Sequence, residues 1–153
     1  MVNRPRAIGT AAETAVCRYL AAHGFPHAER RSLKGSLDQG DITGTPGVVW
    51  EVKGGQAAKT ASDGLVAEWL AETDTERVNA GCNVGVLVLQ RAGIGPANAG
   101  RWWAVLHLCD VAPREALAHR DLYVAPVRMH LSDAVLLLRA RGYGQPLDPA
   151  RTT

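Results

Sequence analysis

Between Pro5 and Ala22 the apolar side chains Ile8, Ala12, Ala15, Val16, Tyr19 and Leu20 recur at helical spacing, and Gly24 supplies a stop. That periodicity predicts an N-terminal helix with one apolar face. His27 to Leu33 has strand character, and the polar tract Lys34 to Gln39 reads as a loop. Gly40–Thr43 and Val48–Lys53 are β-branched or apolar runs on either side of Gly44-Thr45-Pro46-Gly47, turn chemistry that predicts a hairpin. Ser62 suits the N-cap of a helix running through Leu65, Trp69 and Leu70 to Val78, with Gly81 closing it and its acidic face exposed. Val84–Leu89 is nearly all aliphatic, as a strand buried on both faces must be, and Trp102–Leu108 reads as its neighbour. Arg91–Gly100 is a Gly-rich connection that lacks the spacing of a phosphate loop. Pro113–His119 predicts a short helix and Tyr123–Leu131 an extended segment broken by Pro126; Ser132 then caps a last helix, Asp133–Arg141, ended by Gly142. The order α-β-β-β-α-β-β plus C-terminal helices predicts an α/β fold, a mixed central sheet flanked by helices. Residues 1–144 are expected to form one domain and 145–153 a flexible tail.

Composition changes this picture little. A chain of 153 residues with 46% hydrophobic and 21% charged residues suits a single globular unit. Cys17, Cys82 and Cys109 are odd in number and far apart, outside any zinc-ligand spacing, so reduced thiols are expected. No apolar run reaches the ~20 residues of a membrane span, and the opening MVNRPRAIGT has no apolar signal core, so a cytosolic location is expected. Neither a membrane partner nor a small-molecule cofactor is implied. Charge is uneven: up to Ser36 the bases Arg4, Arg6, Arg18, Arg30, Arg31 and Lys34 face only Glu13 and Glu29, which suits a polyanionic partner.

The hairpin carries the chemistry. Side chains alternate along a strand, so Val49, Glu51 and Lys53 share one side and Val48, Trp50 and Val52 the other. Asp41 joins Glu51 if the turn spans Thr45–Gly47 or Gly44–Val48, and is sent to the opposite face by a four-residue loop. Two opposed carboxylates repel unless a cation lies between them. Hard oxygen donors with open positions suit Mg²⁺, with Mn²⁺ as a substitute. Lys53 can orient or deprotonate a metal-bound water and offset charge growing on phosphorus. The chain has three lysines, Lys34, Lys53 and Lys59, against fourteen arginines, so this lysine is not a default surface cation.

GDI followed by WEVKGG, in Gly40–Ile42 and Trp50–Gly55, resembles the PD-(D/E)XK phosphodiesterase superfamily. Gly9, Glu13 and the Gly24-Phe25 pair before the first strand are similar to the opening of archaeal-type Holliday junction resolvases within it. The likeness covers about the first ninety residues. It implies a restriction-endonuclease-like core in which Asp41, Glu51 and the Val52 carbonyl bind Mg²⁺, Lys53 assists the attacking water, and Glu13 reaches the metal directly or through water. Gly40 stands where the family name has proline. The resemblance further implies four-way or otherwise branched DNA as substrate, a homodimer making paired cuts, and 5′-phosphate products. A small stand-alone resolvase would suit a bacteriophage acting in the bacterial cytoplasm.

Glu13 has a second reading, since Thr10-Ala11-Ala12-Glu13 spells a capping box. Arg30, Arg31 and Lys34 are candidate phosphate contacts, Ser32 and Ser36 candidate contacts to the scissile phosphate, and Gln56 a further DNA contact. His23 and His107 have no partners at ligand spacing, and Trp102 and Trp103 read as core and sheet face. Two other functions remain open: a nuclease acting on nicks or ends, and a catalytically silent DNA-binding or assembly protein.

Overall fold

Strand β3, Val48–Lys53, is buried along almost its whole length, and its alternation decides where everything else packs. In this computed structural model, which describes residues 4–32, 37–112 and 125–151, the chain is α/β with a mixed four-stranded sheet. The elements before β3 are α1 (Arg4–Ala22), β1 (Glu29–Arg30) and β2 (Ile42–Thr43); those after it are α2 (Gly55–Lys59), α3 (Asp63–Asn79), β4 (Val84–Leu89), β5 (Trp103–His107), α4 (Leu108–Val111), β6 (Pro126–His130) and α5 (Leu131–Ala140). The strand order is β3-β4-β5-β6. β3 and β4 run parallel, with Glu51 opposite Leu87 and Lys53 opposite Leu89; β5 and β6 add antiparallel.

Val48, Trp50 and Val52 face a core shared with Val16 and Leu20 of α1. The opposite face carries a second cluster in which Val66 and Leu70 of α3 pack on Leu87, Leu89 and Val105. Helices therefore cover both faces, which is why VGVLVL is buried at every position of β4. Burying each Val or Leu there contributes roughly 1.5–3 kcal/mol, more than any cap or surface pair in the chain can. α3 lies very close to β4: a Cβ on Gly85 would meet the Thr73 side chain at 3.2 Å and its carbonyl oxygen at 3.3 Å.

The hairpin forms only in part. β2 makes its ladder with β1, Arg30 opposite Ile42 and Glu29 opposite Thr43, and reaches β3 through Asp41 N–H donating to the Trp50 carbonyl at 2.9 Å. The turn is closed by Val48 N–H to the Thr45 carbonyl (3.1 Å) and by the buried Thr45 hydroxyl, which donates to the Val48 carbonyl and accepts from Trp50 Nε1.

Ser62 caps α3 as expected, its hydroxyl accepting from Leu65 N–H. Other expectations are corrected. α5 begins at Leu131 with His130 at its N-cap, because β6 passes directly into the helix; the Ser132 hydroxyl is engaged with Tyr19 instead. The Gly-rich connection ends in a 3-10 turn, Pro96–Arg101, and α2 arises just past Lys53 where no helix was predicted. The segment Val135–Leu138 is half core: Val135 and Leu138 are buried, while Leu136 and Leu137 are exposed. Gln145 is fastened by its N–H to the Gly24 carbonyl, and Arg139 holds the Gln145 and Pro146 carbonyls. The predicted helix 113–119 and the start of the extended segment at 123 lie outside the described residues. Among the described residues no helix is long and apolar enough to cross a membrane.

Candidate active site

Gly40 aims the first carboxylate. Its φ of +90° lies in the left-handed region, and a Cβ there would meet Val49 Cγ1 at 2.8 Å and the Trp50 carbonyl at 3.0 Å. Only glycine fits both demands without strain. Proline, fixed near φ −65°, cannot take this conformation. The backbone turn lets Asp41 Oδ2 accept the Val52 N–H at 2.8 Å and brings the carboxyl against Glu51.

Glu51 projects on the α3 side of β3 with only 7% of its surface exposed. Its Oε1 accepts from Lys53 Nζ at 2.7 Å. Lys53 also lies 3.7 Å from Glu72 Oε2 and 5.7 Å from the centre of the Trp69 ring. Asp41, Glu51 and Lys53 are thus brought together as predicted, although by a kinked approach of β2 rather than by a zipped hairpin.

A fourth group was not predicted. Glu76 of α3 is 5% exposed and within hydrogen-bonding reach of Glu51, and its Oε2 is buried without a hydrogen-bond partner. The expectation of an exposed acidic face on α3 holds for Glu68 and Glu72 but fails here. The signal was present: Val66, Leu70, Thr73 and Glu76 follow one another on one helical face, and all four are buried.

The electrostatics follow from this crowding. Burial, with repulsion from Glu51, pushes Asp41 up to about 7. Burial also pushes Glu51 up to about 7, only partly opposed by Lys53, and Glu76 rises to about 7 chiefly through burial. The three titrate as a coupled set. Burial pulls Lys53 down, but its bond to Glu51 and the charges of Glu51, Glu72 and Asp41 outweigh this and raise it above the usual ammonium range. Lys53 is therefore held protonated in the metal-free site. Among the described residues no group of three or more His, Cys, Asp or Glu side chains is arranged to hold a metal ion.

Glu13 receives Arg30 Nε–H at 2.9 Å and adds its negative charge to the field at Asp41. The capping-box reading is overturned, because α1 already starts at Arg4 and Thr10 lies inside it; the Thr10 hydroxyl accepts from Arg30 Nη2. Arg30, spent on Glu13, remains partly exposed. Arg31 turns inward: its N–H donates to the Asp41 carbonyl, its Nη1 to Gln39, and its Nε is buried without a partner. It buttresses the Asp41 backbone. Ser32 and Gln56 are exposed; Lys34 and Ser36 lie outside the described residues. His23 is spent on the Tyr19 carbonyl and ring, and Cys17 is a buried thiol pushed up to about 11 by burial, hence inert.

Comparison with family models, with curated proteins and with solved structures finds no match for this chain.

Proposed function

We propose that this protein is a Mg²⁺-dependent endonuclease hydrolysing phosphodiesters in branched DNA, with a four-way junction as its preferred substrate and a restriction-endonuclease-like core. The observation that carries the proposal is the meeting of Asp41 and Glu51 beside Lys53 on one face of β3. Element order supports it: a helix and three strands precede α2, α3 and a strand that runs parallel to β3, although β1 and β2 pair with each other in a separate two-stranded sheet.

Asp41 and Glu51 are hard oxygen donors of the kind a divalent cation takes. Asp41, Glu51 and Glu76 lie in a partly desolvated spot, all destabilised as anions, and Glu76 Oε2 is an orphaned buried acceptor. Asp41 and Glu51, with the Val52 carbonyl, would hold Mg²⁺, or Mn²⁺ in its place, and two carboxylates leave room for the waters that Mg²⁺ retains. When bound, the ion supplies a polarised water and a counter-charge for the phosphate. Lys53, fixed as a cation, orients the attacking oxygen and offsets charge on the phosphorane oxygens. Glu13 and Arg30 brace the outer edge. Hydrolysis in this sense leaves a 5′ phosphate, and paired cuts require a two-fold dimer.

Incubation with a synthetic four-way junction and Mg²⁺ tests the reading. Cleavage is expected for the parent, with none for Asp41→Asn or Glu51→Gln although both still bind DNA. Cutting by either variant at the parent rate would sink the site assignment. Binding without any cutting by the parent would identify a silent DNA-binding protein, and preference for nicked or linear duplex would identify an end-processing nuclease.

A further inference from the structure

A second feature lies on the same sheet face as Lys53. The strand registers place Lys53 opposite Leu89, Leu89 opposite Trp103 and Trp103 opposite His130, so these four form one row across β3, β4, β5 and β6. Paired residues share a face and strands lie ~4.8 Å apart, which sets Trp103 roughly 10 Å from Lys53. Trp103 is half-buried and carries two guanidinium groups: Arg91 stacks 4.1 Å from the ring centre, and Arg128 lies at 5.7 Å. Arg91 Nη1 is tied to the Arg101 carbonyl (3.3 Å) and to His130 Nε2 (3.1 Å). Its planar fork is thereby held flat, with Nε and Nη2 making no hydrogen bond among the described residues.

Beside this stack is a hollow of about 250 Å³ lined by Lys59, Gln90, Arg91, Trp103 and Arg128, and no acidic residue lines it. Among the described residues none of Lys59, Arg91, Arg101 and Arg128 is ion-paired to a carboxylate. The hollow is also continuous with the catalytic strand, since Gln90 N–H donates to the Lys53 carbonyl and Gln90 Oε1 accepts the Gly55 N–H.

The geometry points to a phosphate-backbone cradle formed by Lys59, Arg91 and Arg128 on Trp103, which holds the DNA backbone roughly 10 Å from Lys53. This rests on the nuclease reading above. The occupant is a phosphodiester chain: unpaired cations around a stacked arginine attract polyanion, and the row leads straight from Lys53. A stacked, pre-ordered arginine loses less freedom on binding phosphate than a mobile one. The cradle supplies affinity and register without reading bases.

The test is DNA affinity as a function of salt, measured by fluorescence anisotropy without divalent ions, for the full chain and for the Lys59→Gln/Arg128→Gln double variant. Removal of two phosphate contacts should weaken binding roughly tenfold and flatten the slope of log K against log[salt] by about 2. Arg91→Lys keeps the charge but not the flat fork, so affinity should fall with the slope nearly retained. Circular dichroism and Mg²⁺-induced stabilisation should match the parent in every variant. A parent that binds DNA and a double variant with the same slope would overturn the cradle and leave the nuclease reading intact. A parent that binds no DNA at all would overturn both.

Discussion

Glu76 sets the energetics of the site, because a carboxylate with one oxygen lacking a donor is held in a partly desolvated spot next to two others. Folded-state values raised to about 7 mean that the folded, metal-free chain binds more protons than the unfolded chain between roughly pH 4 and 7. Stability therefore falls as pH rises through that window. Thermal denaturation without divalent ions should give a higher Tm near pH 5 than at pH 8, and Mg²⁺ at pH 8 should restore much of the loss; a pH-independent Tm would contradict the crowding. Glu76→Gln removes one charge at constant shape, and at pH 8 without metal it should stabilise by about 1 kcal/mol, roughly 2–4 °C for a chain of this size. Lys53→Ala should lower kcat by about 10²–10³-fold while the Mg²⁺-induced Tm shift survives, since it removes a competitor for Glu51. Equal loss of both would make the lysine structural. The residue types at this site were legible in the sequence as far as strand alternation reaches: Asp41, Glu51 and Lys53 were found, while Glu76 was overlooked because acidic positions on a helix are read as solvated by default.

At the scale of elements, Gly40 decides whether β2 delivers Asp41. Gly40→Ala adds a Cβ against Val49 and the Trp50 carbonyl at a positive φ, a strain of about 1–3 kcal/mol, and should cut cleavage more than tenfold with weakened Mg²⁺ response. Gly93 also has a positive φ but open space around it, so Gly93→Ala should leave cleavage near the parent rate. Equal losses in the two would show that general strain, not the aim of Asp41, is being measured. Periodicity revealed α1, β3, α3 and β4 almost to their ends, because long runs with one buried face leave a strong pattern. The short elements were hidden. β2 is two residues long and pairs with β1, an arrangement set by tertiary contact rather than by local propensity. The cap of α5 was misplaced at Ser132, since a strand that runs straight into a helix leaves no polar boundary to read.

For the whole molecule, α1 and α3 sandwich the sheet, and the acidic site and basic hollow share the α3 side. Paired cutting needs two such faces. Leu136 and Leu137 are adjacent and exposed on α5, and the proposed dimer would use them as its apolar surface. Light scattering should therefore report a dimer, and Leu136→Arg/Leu137→Arg should yield a monomer that nicks one strand of a junction without resolving it; a monomeric parent that still makes symmetric cuts would remove the dimer from the proposal. The mixed α/β architecture was legible from element order, whereas the spatial adjacency of residue 53 to residues 89, 103 and 130 was not, because register across a sheet leaves no trace in a single chain's periodicity.

The parallel pairing of β3 with β4 also governs maturation. Residues 54–83 must be made and looped back before Val84 can dock beside Val48, and such distant closure is slow compared with hairpin formation. A nascent chain halted before residue 84 would hold Asp41, Glu51 and Lys53 but lack their supporting neighbour strand, and should be inert. Refolding rate, followed by stopped-flow tryptophan fluorescence, should accordingly set the moment at which the proposed cleavage first appears.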